Sequence, residues 1–146
     1  MRTKQKKDWD SLEKNKEHLH SDSVFWKSEI NFIQDEIRFL EHLLSSNYID
    51  YLEDGLFKKI EAPVVNLTKQ KKISKALIKI IVEHEAILSN LIDNKSAQSN
   101  KHFQVTHKKI KKEVGQFIDQ FKQLKATIFF IVERVMRKKG QKKLIS

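Results

Sequence analysis

The sequence contains no cysteine, which excludes disulfide staples and thiolate metal sites. Three glycines and one proline are all that interrupt its 146 residues, too few turn formers for a sheet protein of this size. Long apolar runs are missing too. The longest, Ala126 to Val132, is broken by Thr127 and falls far short of the roughly 20 residues a bilayer-spanning helix needs. The basic stretch Met1 to Lys7 is followed by no apolar segment of the kind a secretory signal requires. There is no Gly-rich phosphate loop, no HExxH and no Ser/His/Asp arrangement, so no motif supports hydrolase or transferase chemistry. These absences predict a soluble, cytoplasmic chain without a transmembrane segment and point away from an enzyme.

Acidic residues are missing where the charge is highest. Residues 1–7 hold four basic groups and residues 137–146 hold five, with no acid in either stretch. The tails therefore carry nine of the ten excess positive charges, leaving 20 basic against 19 acidic groups in residues 8–136. A nearly neutral body argues against a dedicated nucleic-acid surface, so polyanion or membrane-surface binding would fall to the tails. Lys69, Lys71, Lys72, Lys75 and Lys79, with Lys108, Lys109, Lys111 and Lys112, form local basic stretches that read as ordinary solvated faces ahead of a binding patch.

What remains is helix composition with a regular apolar period. Trp26, Ile30, Ile33, Ile37, Leu40 and Leu44 step by four and three, the spacing of one helix face. Phe25, Phe32, Phe39 and Leu43 form a second apolar row beside it. Ser21-Asp22-Ser23 offers capping oxygens, so a first helix is expected from about Ser23 to Leu52, ending before Asp54-Gly55. Ile73, Leu77, Ile80, His84, Ile87 and Leu91 trace a second helix, with Pro63 suited to a first turn. Phe103, His107, Ile110, Val114, Phe117, Phe121, Leu124, Ile128, Val132 and Val135 trace a third, with Gly140 as a stop. The expectation is an all-α, antiparallel, up-down-up bundle of three long helices. The N-terminal segment or a second chain would complete it to four. By domain, this reads as an arm or short helix over residues 1–20, a bundle over 21–140 and a basic tail over 141–146.

Polar residues interrupt the apolar faces. At about 100° per residue, Glu29 and Glu36 fall between the two apolar rows of the first helix. His84 stands in the seam of the second, His107 in that of the third, and Glu113 at its edge. Counting residues from the chain reversals puts Glu29, His84 and His107 within roughly 3 Å of one level, with Glu36 and Glu113 about 8–10 Å further along. Two readings of this cluster stay open. It is a polar core layer that fixes register, or a metal centre built from Glu29, Glu36, His84, His107 and Glu113, whose imidazole and carboxylate donors suit Zn, Fe or Mn. The spacing fits neither the ferritin-like Glu-x-x-His pattern nor the histidine-rich hemerythrin pattern. Glu83-His84-Glu85 is no catalytic cluster, because successive helical residues diverge by about 100°.

Ile78 and Val82 on the second helix and Phe130 on the third lie off the apolar faces and call for cover from another surface. The leading functional expectation is therefore a protein acting through protein contacts, chiefly as a homo-oligomer. Metal binding comes second, and a nucleic-acid or membrane-surface role through the tails third.

Overall fold

The structure, a computed structural model, describes the backbone of residues 2–46, 55, 57–93 and 97–145, and side chains within residues 15–46, 55, 58–91 and 100–140. Every described residue except Gly55 is helical. The protein is all-α, with helices α1 (Arg2–Ser46), α2 (Phe57–Asp93) and α3 (Ala97–Ile145). Gly55 stands in a turn with φ of +69°, the left-handed region that glycine enters without steric penalty. No helix of the described residues is long and apolar enough to cross a membrane.

The chain divides into two compact units, each drawing on all three helices. The first comprises Met1–Ile30 with Ala76–Gly115, the second Asn31–Lys75 with Gln116–Ser146. In the first unit Lys27 pairs with Glu85, while Leu19 joins Leu88, Leu91 and Phe103 in one apolar cluster. Rising numbers on α1 thus meet falling numbers on α2, the antiparallel arrangement. In the second unit Gln34 meets Ser74 and Glu41 meets Lys71, in the same sense. The bundle is up-down-up, as short connections between long helices favour.

The α1 seam from Trp26 to Leu44 and the α3 face from Phe103 to Val135 are buried as expected. On α2 the inward face differs. Ile73, Ile80 and Ile87 are exposed, and the buried line is Gln70, Ser74, Leu77, Ile81, His84, Leu88 and Leu91. Apolar period alone favours the isoleucines. Packing wins because Gln70 and Ser74 find partners inside: Gln34 Nε2 donates to Ser74 Oγ at 3.2 Å and Gln70 Nε2 donates to Gln120 Oε1 at 3.4 Å. Ser74 is satisfied, also donating to the Lys71 carbonyl, and such a group is tolerated in a core; Gln70 is satisfied at its amide nitrogen alone, its Oε1 being buried without a partner.

Three expected boundaries are corrected. Helix α1 begins at Arg2 rather than near Ser23, since Leu19 and Ser23 are buried in phase with Trp26 and Ile30 and the apolar face passes through the supposed cap. Pro63 lies inside α2, which starts at Phe57, rather than in a first turn. Gly140 does not end α3, which runs to Ile145. A lone glycine weakens a helix by about 1 kcal/mol and does not by itself terminate one. The expected end at Leu52 and Asp54 lies outside the described residues.

Candidate functional site

A chain of three polar side chains runs through the core of the first unit. Asp22 of α1 reaches His107 of α3, its Oδ2 lying 2.9 Å from His107 Nε2. His107 Nδ1 lies 2.9 Å from His84 Nε2 of α2. An ionised carboxylate only accepts, so His107 carries its proton on Nε2 and donates to Asp22. Its Nδ1 is then an acceptor, and His84 Nε2–H donates to it. With both rings neutral, the carboxylate at one end sets the direction of each bond. His84 Nδ1 is left as a bare lone pair, buried and without a hydrogen-bond partner.

The rings are held by aromatic packing. Phe103, one turn before His107, stacks on His84 with centroids 4.0 Å apart and planes 5° from parallel. Trp26, one turn after Asp22, lies 4.7 Å from the His107 ring. His84 and His107 are only 2% and 5% exposed, so neither is open to a substrate. Burial pushes the His84 imidazole from 6.5 down to about 4, the nearby His107 adds to the shift and Glu85 opposes it. Desolvation penalises the imidazolium, and a proton added at Nδ1 would find no hydrogen-bond acceptor. At the rim of this unit Glu85 takes Lys27 at 3.0 Å and His20 at 3.4 Å, while His18 stands 3.8 Å from Asp22.

The structure brings His84 and His107 together and supplies Asp22 as their carboxylate. Glu29 is half-buried, and among the described residues no hydrogen bond or ion pair engages it; the same holds for Glu113. Glu36 belongs to the second unit, where its Oε2 pairs with Lys125 Nζ at 2.8 Å. Among the described residues no three His, Asp or Glu side chains converge as a metal-holding group. The histidine nitrogens at the centre face one another across a hydrogen bond instead of a common point.

Asp22 escaped the sequence reading because Ser21-Asp22-Ser23 resembles a cap. Its phase was the missed signal. Asp22 lies one turn before Trp26, about 40° from it around the helix, on the inward side.

The second unit carries a different feature. Phe32 and Phe39 on α1 are 61% and 56% exposed, and Phe129 and Met136 on α3 are 40% and 49% exposed. Each pair is spaced by seven residues. Glu36 lies between the buried α1 seam and the two phenylalanines, about 40–60° from them. Lys125 has the equivalent position on α3, between the buried face and Phe129 with Met136. The Glu36–Lys125 bridge therefore marks the junction of α1 and α3, and all four apolar side chains lie on its solvent side.

Compared with known proteins, the chain matches no family model, no curated protein and no solved structure.

Proposed function

We propose that this protein works through protein–protein contact, pairing with a second copy of itself through the exposed α1–α3 face of its second unit. The observation that carries the reading is the set Phe32, Phe39, Phe129 and Met136, four large apolar side chains on adjacent helices of one unit and all substantially exposed. Scattered apolar residues on a surface are ordinary, but a contiguous cluster marks a contact site. Phenylalanine and methionine are enriched at such sites. The seven-residue spacing on both helices is the period at which one helix keeps contact with another.

Sedimentation velocity on the full chain tests this. The wild type is expected to sediment as a dimer at micromolar concentration, and Phe32→Glu/Phe39→Glu as a monomer of unchanged helical content. A wild type that stays monomeric up to high concentration removes the reading.

Metal binding stands behind this reading. Asp22, His84 and His107 offer donors for Zn, Fe or Mn, but the facing nitrogens are engaged with one another. Elemental analysis of protein purified without chelator or histidine tag measures whether a metal is carried.

A further inference from the structure

We infer that the groove between α1 and α2 in the second unit is a binding site for a small organic cation, an ammonium group carried on an apolar body. The site is independent of self-association, because the contact face proposed above lies between α1 and α3.

The groove encloses about 370 Å³, within the range of small-molecule sites. Leu44 of α1 and Ile60 and Leu67 of α2 supply its buried lining, while Val64 and Val65 beside them stand 42% and 49% exposed. An alkyl or aryl group seated there would take this aliphatic surface out of water.

Every polar side chain of the lining is left as an acceptor. The backbone N–H groups of these residues are spent on carbonyls one turn back in their helices. Ser45 Oγ donates to the His42 carbonyl at 3.0 Å, and Thr68 Oγ1 donates to the Val64 carbonyl at 3.2 Å. Each hydroxyl proton is thus committed, and only oxygen lone pairs remain. The other two polar side chains are the carboxylates of Glu41 and Glu61. Lys71 neutralises Glu41 at 3.2 Å. Glu61 is exposed and, among the described residues, has neither a hydrogen bond nor an ion pair. Lys71 and the neighbouring Lys58 and Lys59 form no part of the lining. The ligand that complements this set brings donors, a positive charge and apolar surface together. An anion would meet only lone pairs and a carboxylate.

The charge of the chain makes the test discriminating. With a net +10, unspecific association favours anions, the reverse of what the groove selects. Octylammonium, octanol and octanoate are matched probes that differ chiefly in the head group. Titrations of the full chain, followed by amide chemical shifts, are expected to show octylammonium binding tightest, with its shifts at the lining residues. Octanoate binding there as tightly, or octylammonium shifts that avoid the lining, would overturn the site. Butylammonium should bind at least tenfold more weakly than octylammonium, since it forfeits four methylenes of apolar contact; equal affinity would mean that the aliphatic lining is not used. Glu61→Gln keeps the shape and removes the charge. It should weaken octylammonium about two- to five-fold, the worth of an exposed ion pair, and leave octanol unchanged. An equal effect on both probes, or none on either, would remove the cation reading. Val64→Lys sets an ammonium of the chain's own in the groove and should abolish octylammonium binding at unchanged helical content. Retained binding would overturn the assignment, and the wild-type and Glu61→Gln titrations decide the matter if that variant fails to fold.

Discussion

His84 shows how far one buried residue constrains its neighbours. It is hydrogen-bonded to His107, and His107 in turn to Asp22, so removing either ring leaves a polar atom without its partner. His84→Leu leaves the acceptor at His107 Nδ1 unsatisfied but also removes the unpartnered His84 Nδ1, so the net loss is expected to be smaller than the roughly 1–3 kcal/mol of one unsatisfied buried group. His84→Leu/His107→Leu should lose less than the sum of the two single changes, because it removes the donor and acceptor together. Urea unfolding of the three variants checks this, and strict additivity would show that the relay is not coupled.

The same residue sets an acid limit. An unfolded His84 takes up its proton near 6.5, whereas the folded one resists protonation until about 4. Protonation therefore favours the unfolded chain throughout that window. The contribution of His84 is complete above pH 6.5 and is lost as the pH falls through 4, on the order of 3 kcal/mol at most. Unfolding curves at pH 7 and pH 4.5 should show a drop that shrinks in His84→Leu. An equal drop in both proteins would place the acid sensitivity elsewhere.

At the scale of elements, much of the fold was legible. Heptad steps from Trp26 to Leu44 and from Phe103 to Val135 name a buried face because apolar residues recur there at alternating steps of three and four, whereas the Phe25, Phe32 and Phe39 row returns only every seventh residue. The α2 face was misread, since Ile73, Ile80 and Ile87 outweigh Gln70 and Ser74 on any apolar count. What buries Gln70 and Ser74 is the presence of Gln120 and Gln34 opposite them, and pairing across helices is invisible from one helix. The candidate site divides in the same way. His84 and His107 were legible as inward polar residues, while Asp22 was hidden behind a capping pattern that the continuous helix does not use. Pro63 carries a prediction at this scale. Inside α2 it removes one backbone hydrogen bond, to the carbonyl of Lys59, at a cost of about 3 kcal/mol or more. Pro63→Ala restores that bond and forfeits the packing of a buried ring. The expected net is a gain of about 1 kcal/mol, read as a higher urea midpoint; a loss would mean that the ring packing outweighs the restored bond.

At the scale of the whole molecule, the excess charge and the proposed contact face draw on different residues. Nine of ten excess positive charges belong to the two ends of the sequence, whereas the proposed contact face is bounded by an internal ion pair. Polyanion binding and self-association should therefore respond to different changes. Neutralising Arg2, Lys4, Lys6, Lys7, Lys142 and Lys143 with glutamine is expected to flatten the salt dependence of binding to duplex DNA by several phosphate equivalents. The sedimentation coefficient should stay the same. A salt dependence that survives would assign such binding to the lysines of α2 and α3.

The glutamine and serine layer of the second unit has a further consequence. Apolar seams that repeat every seven residues leave neighbouring helices nearly indifferent to sliding by one repeat, since each isoleucine or leucine finds another in its place. Gln70, Gln120, Gln34 and Ser74 break that indifference. Displaced by seven residues, the buried Gln70 and Ser74 would lose these partners, and their unmade hydrogen bonds would not be replaced by water. The layer thus acts as an index mark on otherwise interchangeable threads. A chain with leucine at these positions would hold together at least as tightly and yet settle into several alignments instead of one.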